Sequence, residues 1–200
     1  LGEPPLLEEL RQAGLKIAPA PLLLDRDHYP LPVVVQTWLV GEVVDAVPAS
    51  DDAWEPLLRH LVAVHSVTPE AVDVDLPTAT INAYNVPEGR QLIREYVAAI
   101  PPEEQPNTLR ELLQRFESVP LSEWDEKRVA LIRLDNNTLN YIRSPDGWLS
   151  VDWENSGWGD PAFDVANLMT HAAYLDVSAS RWEWVAERYC ALVDDNTAST

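Results

Sequence analysis

The period of the apolar residues changes once along this chain, and that change limits the folds open to it. Ahead of Trp54 the apolar residues form two short runs, Leu22 to Leu24 and the Val-rich Pro32 to Leu39. Asp25-Arg26-Asp27 separates them, and they read as two strands, with Gly41 closing the second. From Trp54 onward Trp54, Leu57, Leu58, Leu61, Val62 and His65 recur at helical spacing. Two short strands make no stable sheet by themselves, so more strands are expected before Leu1. The start, Leu1-Gly2-Glu3-Pro4-Pro5, has no initiator Met and no signal pattern, and reads as an internal cut.

A helix ending at Gly14 precedes the strands, carrying Leu6, Leu7 and Leu10. Further helices are predicted over 87–100, 108–118, 161–175 and 181–193. Capping boxes at Thr108/Glu111 and Ser180/Glu183 open two of them, and Asp160-Pro161 is a cap followed by proline at the first helical position. One β island, from about Val129 to Asp152, interrupts the helices. The fold class expected is α+β, a small β-containing edge followed by a mainly helical body.

Charge narrows the partners. With 14 basic and 33 acidic side chains the net charge is −19, a surface that repels nucleic-acid phosphates and anionic lipid and attracts cations. The longest apolar stretch, Val33 to Val44, is broken by Gln36, Thr37, Gly41 and Glu42, so no membrane span is expected. A lone cysteine, Cys190, excludes an internal disulfide and fits a reducing, cytoplasmic setting.

The chemistry concentrates in the β island. Ser144-Pro145-Asp146-Gly147 suggests a type I turn ending in a left-handed glycine, a three-residue hairpin loop that pairs Ser144 with Trp148. In that register Tyr141 faces Val151 and Asn140 faces Asp152, with Cβ atoms about 5 Å apart on one face. An amide oxygen and a carboxylate then meet at the hairpin mouth, two hard ligands suited to Mg²⁺. Asp135 lies five residues before Asn140 in a polar loop that can fold back beside them, placing a carboxylate base next to a two-ligand metal site.

Arg133-Leu134-Asp135-Asn136-Asn137-Thr138-Leu139-Asn140 resembles the H-G-D-x-x-x-x-N loop of aminoglycoside and choline kinases. Val151-Asp152-Trp153-Glu154 is similar to that family's I-D-W-E segment, and Gly159-Asp160-Pro161-Ala162-Phe163-Asp164-Val165-Ala166 to its G-D-P-x-Y-D-L-A segment. Three segments in the family's order and spacing are far more specific than one. The resemblance implies a protein-kinase-like fold, with residues 1–40 a partial N-lobe ending in the hinge and 41–200 the helical C-lobe, cut short at the N-terminus and at the C-terminus. It implies Asp135 as catalytic base, Asn140 and Asp152 as magnesium ligands, and Gln36, Thr37, Trp38 and Leu39 as the hinge whose backbone binds the base of ATP or GTP. Arg133, Asp164 and Glu3 take supporting roles: Asp164 bonds to the catalytic loop, and Glu3 is the helix glutamate that pairs with a phosphate-binding lysine.

The implied activity is Mg²⁺-dependent transfer of the γ-phosphate to a hydroxyl of a small molecule such as an aminoglycoside, amino alcohol or sugar, and an acidic cleft would suit a cationic acceptor. Two departures stand out, Arg133 at the family's histidine and Leu134 at its glycine. No glycine-rich loop or strand-borne lysine precedes the hinge, so this chain alone is expected to be inactive or nearly so. A non-catalytic kinase-like binding module is the competing reading, and a metal-dependent hydrolase a third. Of the tryptophans, Trp38, Trp54, Trp182 and Trp184 are expected in the core, while Trp153 and Trp158 are candidates for lining a pocket. His65 and Cys190 read as core residues.

Overall fold

The structure, a computed structural model, describes residues 3–72, 76–121 and 128–198. It opens with helix α1 (Glu3–Gln12), followed by an antiparallel ribbon of β1 (Pro21–Asp25) and β2 (Val33–Gln36). Strand β3 (Glu42–Val43) leads to α2 (Asp51–His65), α3 (Val86–Ala98) and α4 (Asn107–Ser118). Then come β4 (Ala130–Ile132), a 3₁₀ turn at Thr138–Asn140, β5 (Tyr141–Ser144), β6 (Gly147–Ser150) and β7 (Gly157–Gly159). Helix α5 (Pro161–Thr170) and α6 (Ala179–Ala198) close the chain.

The helical body forms because α2 presents one apolar stripe. Ser50 caps it, its hydroxyl accepting the Ala53 N–H, and Trp54, Leu57, Leu58 and Leu61 are buried against Val165 and Leu168 of α5 and Val185 and Leu192 of α6. A second cluster joins Leu6, Leu7 and Leu10 of α1 to Val64, Val67, Leu131 and Trp153. This cluster spans residue 40, so α1 packs directly on the helical body. Helices α3 and α4 bury no residue fully; they are tied together by the Arg94 guanidinium on both oxygens of Glu117, at 2.7 Å each.

Several sequence expectations need correction. The β5–β6 hairpin pairs Ser144 with Gly147, Arg143 with Trp148 and Tyr141 with Ser150, so its loop has two residues, not three. Gly147 stands at φ 129 and serves as the first residue of β6 instead of completing the loop. A one-residue change of register moves every partner by one, and Asn140 now faces Val151. Strand β3 adds to β5, where no strand was expected.

Gly41 (φ 158) brings it there, since a Cβ at that glycine would lie 2.5 Å from the Arg143 carbonyl oxygen. Neither capping box forms. Pro106 precedes α4 without a side-chain cap, and the Ser178 hydroxyl accepts the Arg181 N–H at the start of α6. Trp38 is 90% exposed, Cys190 is exposed, and Trp153 is buried in the core.

Candidate active site

The loop from β4 to β5 is organised by one buried carboxylate. Asp160 starts α5 by accepting the Ala162 N–H (2.9 Å), with Pro161 as first helical residue. That start puts Asp164, wholly buried, beneath the loop. Its Oδ2 accepts the Arg133 N–H and its Oδ1 the Leu134 N–H and the Asn136 side-chain amide, each at 3.0 Å. Behind it, His65 Nε2 lies 3.1 Å from Oδ2, and His65 Nδ1 lies 2.7 Å from the Tyr189 hydroxyl oxygen. Burial pushes the Asp164 carboxyl up, but the His65 bond and the loop amides outweigh it and hold the group below its ordinary value.

Leu134 has φ 66, the left-handed conformation that a glycine would adopt freely and that costs another residue about 1–2 kcal/mol. Its own amide bond to Asp164 holds it there. The next residue, Asp135, is half-buried, and its Oδ1 accepts the Asn137 N–H (3.2 Å). His171 Nε2 stands 4.0 Å from the same oxygen. Its Nδ1 accepts the Ala173 N–H (3.2 Å), so in a neutral ring the proton sits on the nitrogen nearer Asp135.

Asn137 accepts the Leu139 N–H and caps the 3₁₀ turn that delivers Asn140 to the start of β5. The Asn140 carbonyl accepts the Val151 N–H at 2.9 Å, so Asp152 is one residue beyond Asn140's backbone partner. Asp152 is exposed and leaves the strand at φ 62. Among the described residues no cluster of three His, Cys, Asp or Glu side chains forms. The same-face pairing of Asn140 with Asp152 expected from a three-residue loop is therefore not formed, and the two residues are brought only onto neighbouring segments.

Arg133 is 0% exposed. Its Nη2 donates to the Val151 carbonyl (2.8 Å), and its guanidinium carbon lies 4.9 Å from the Tyr141 ring centre and 4.8 Å from that of Trp153. Two aromatic faces substitute for the water this cation has lost, and its side chain ties the β4–β5 loop to the segment bearing Asp152. Tyr141 also donates its hydroxyl to Asn136 Oδ1 (2.6 Å). Beside it, buried His60 donates from Nδ1 to the Trp148 carbonyl (3.0 Å), with Nε2 2.9 Å from the Ser150 hydroxyl. Burial first, and then the Arg133 charge, lower His60 to about 3, so the ring is neutral.

Glu3 makes no ion pair among the described residues; its Oε1 accepts the Trp153 N–H (3.3 Å), next to Asp152. Gln36 pairs with Pro21 in the ribbon. Thr37 is committed to Ala20, donating its N–H to that carbonyl and accepting the Ala20 N–H on Oγ1, both at 2.9 Å. Its amide is therefore closed to a ligand, whereas Trp38 and Leu39 make no backbone hydrogen bond among the described residues. Phe163 packs on the cluster of Ala79, Ile132 and Leu134 and lines a cavity of about 380 Å³ with Ile81, Tyr96, Phe116 and Leu121.

Sequence reading passed over Asn136, Tyr141 and His60 as site residues, and read His171 as a core histidine on a helix that can border the cleft. Asn136 carried a signal in lying between two motif positions, but the histidines reach the site from distant elements.

The sequence profile of the phosphotransferase enzyme family matches residues 3–194. No curated protein matches the chain at a significant level. Among solved structures, it is similar to a choline/ethanolamine kinase family protein from Mesorhizobium loti (18% identity, TM-score 0.63), covering 95% of this chain and 59% of that one. It is also similar to a spectinomycin phosphotransferase in complex with ADP and spectinomycin (12%, TM-score 0.60, covering 94% and 64%). A third is an aminoglycoside phosphotransferase from Streptomyces rimosus in complex with ADP and streptomycin (19%, TM-score 0.55, covering 94% and 74%). At these identities the likeness shows the fold, an α+β kinase-like one, and the chain spans about three-fifths of the length of the first of them.

Proposed function

This chain belongs to the phosphotransferase enzyme family, and from that premise we propose that it carries the catalytic loop of an enzyme moving the γ-phosphate of ATP or GTP to a hydroxyl of a small molecule. The observation that supports the reading is the Asp164-centred loop, which leaves Asp135 half-exposed two residues after Arg133, whose side chain bonds to Val151 next to Asp152. Asp135 would accept or orient the proton of the acceptor hydroxyl. Asn140 and Asp152 would hold Mg²⁺, whose charge neutralises phosphate oxygens as the phosphoryl group passes.

Residues 1–40 would belong to the lobe that grips the nucleotide, and 41–200 to the lobe that presents the acceptor. With the Thr37 amide engaged, the free backbone of Trp38 and Leu39 is the part of the Gln36–Leu39 hinge left for the base. Glu3 and Arg133 steady the backbone on either side of Asp152, and Asp164 shapes the loop. The left-handed Leu134 and the bond from Arg133 to Val151 favour catalysis over a non-catalytic module, because both departures from the family pattern leave the loop shaped.

No lysine pairs with Glu3 among the described residues, so this chain alone would hold phosphates weakly and turn over little. No helix of the described residues is long and apolar enough to cross a membrane, and we place the enzyme in the cytoplasm, where nucleotide is available. The cavity of about 380 Å³ has no carboxylate in its described lining, but a second cavity of about 540 Å³ that shares Phe163 has Asp160 in its lining. Attraction for a cationic acceptor would rest on the overall charge of −19 and on carboxylates such as Asp160.

Asp135→Ala in the complete enzyme tests the reading. Phosphate transfer should fall by about 10³-fold or more while nucleotide binding changes little. Undiminished turnover would remove Asp135 from the reaction.

A further inference from the structure

We infer that His65 and Tyr189 are positioning residues that hold the strained Leu134, and through it Asp135, by way of Asp164. Three side chains and the loop form one hydrogen-bonded line across the core. The Tyr189 hydroxyl meets His65 Nδ1 at 2.7 Å, His65 Nε2 meets Asp164 Oδ2 at 3.1 Å, and the two Asp164 oxygens take the Arg133 and Leu134 amides at 3.0 Å. His65 is 1% exposed and closes α2, Asp164 is in α5, and Tyr189 is in α6, so three helices are referenced to one loop. The Tyr189 ring also stands edge-on to the His65 ring at 5.7 Å, which fixes the ring plane.

The Arg133 and Leu134 amides and the Asn136 side chain hold the carboxylate from the loop side. Among the described residues His65 is the side chain that holds it from the helical body, and Tyr189 sets the orientation of His65. The need for such bracing is specific to this chain. A glycine at position 134 would adopt φ 66 without cost, but a leucine is held there only while its amide bond persists. Relaxation of Leu134 toward negative φ would swing the next residue, Asp135, away from its place.

The consequence for phosphoryl transfer rests on the role proposed for Asp135, but the bracing itself is tested without turnover. Amide hydrogen exchange of the 200-residue chain would be followed by NMR in Tyr189→Phe, which keeps the ring and removes only the hydroxyl. Loss of one buried hydrogen bond should speed exchange of the Arg133 and Leu134 amides about fivefold. The Leu131 amide, bonded to the Val67 carbonyl, and the amides of α6 should change by less than about twofold if the effect is directed along the line.

In a Leu134→Gly background the strain is gone, and Tyr189→Phe should then leave the loop amides nearly unchanged. No acceleration at Arg133 and Leu134, uniform acceleration that includes Leu131, or an undiminished effect in the glycine background would each overturn the inference. Any of these results leaves the transfer reading standing, and active Asp135→Ala would leave the bracing standing.

Discussion

Replacing Asp164 by asparagine keeps the shape of the side chain and removes its charge, which makes the cost calculable. Four donors converge on the carboxylate: the Arg133 and Leu134 N–H groups, the Asn136 amide and the His65 ring. Leu134 and Asn136 approach one oxygen, Arg133 and His65 the other. Whichever way the new amide turns, its NH₂ faces a backbone N–H, and that donor is left unpaired in the core. An unpaired buried donor costs about 1–3 kcal/mol, and the surviving bonds lose their charge assistance. The total comes to about 4 kcal/mol, or about 10 °C in Tm for a chain of this size.

Urea unfolding followed by tryptophan fluorescence, with eight tryptophans as reporters, gives the difference directly. The pH dependence supplies a second check. The folded carboxyl lies below its ordinary value of 3.8, so its contribution is fully present above that value and is lost as pH falls through the folded one. The gap between the two proteins should be constant above about pH 5 and close below about pH 4. A penalty under about 1 kcal/mol, or a gap indifferent to pH, would mean that Asp164 does not organise this loop as an anion.

Two further outcomes follow from burial. His60 is neutral in the fold, lowered from 6.5 to about 3, so its contribution is whole above pH 6.5 and is lost as pH falls toward 3. His60→Gln should flatten the acid limb of the stability profile by up to about 1.4 kcal/mol per pH unit, measured by urea titrations across that window. Gly157→Ala should destabilise by about 3 kcal/mol, read as a lower urea midpoint, because the added Cβ would lie 2.3 Å from the Pro77 carbonyl oxygen and 2.6 Å from the Ala79 nitrogen.

Local chemistry made the helices readable. The stripe from Trp54 to His65 needed only the helical period, and Asp160-Pro161 only the geometry of a cap. The hairpin was legible as a hairpin but not in its register, since Pro145-Asp146-Gly147 serves a two-residue or a three-residue loop, and β3 packing on β5 is not written near the turn. Trp38 and Cys190 sit in apolar patterns that periodicity assigns to the core. Burial depends on what lies opposite, and nothing in the described structure covers them.

The amino-acid order by itself determined the α+β class, the family, and the spacing from Asp135 to Asn140 to Asp152, because periodicity and motif spacing act within a few residues. Tertiary structure decided what holds that spacing in place. The His65–Asp164 contact bridges 99 residues and the His65–Tyr189 contact 124, and Arg133 found its two rings only when β5 and the segment after β6 came together. Buried polar groups must find partners wherever the packed core supplies them, and a core is packed by elements that lie far apart along the chain.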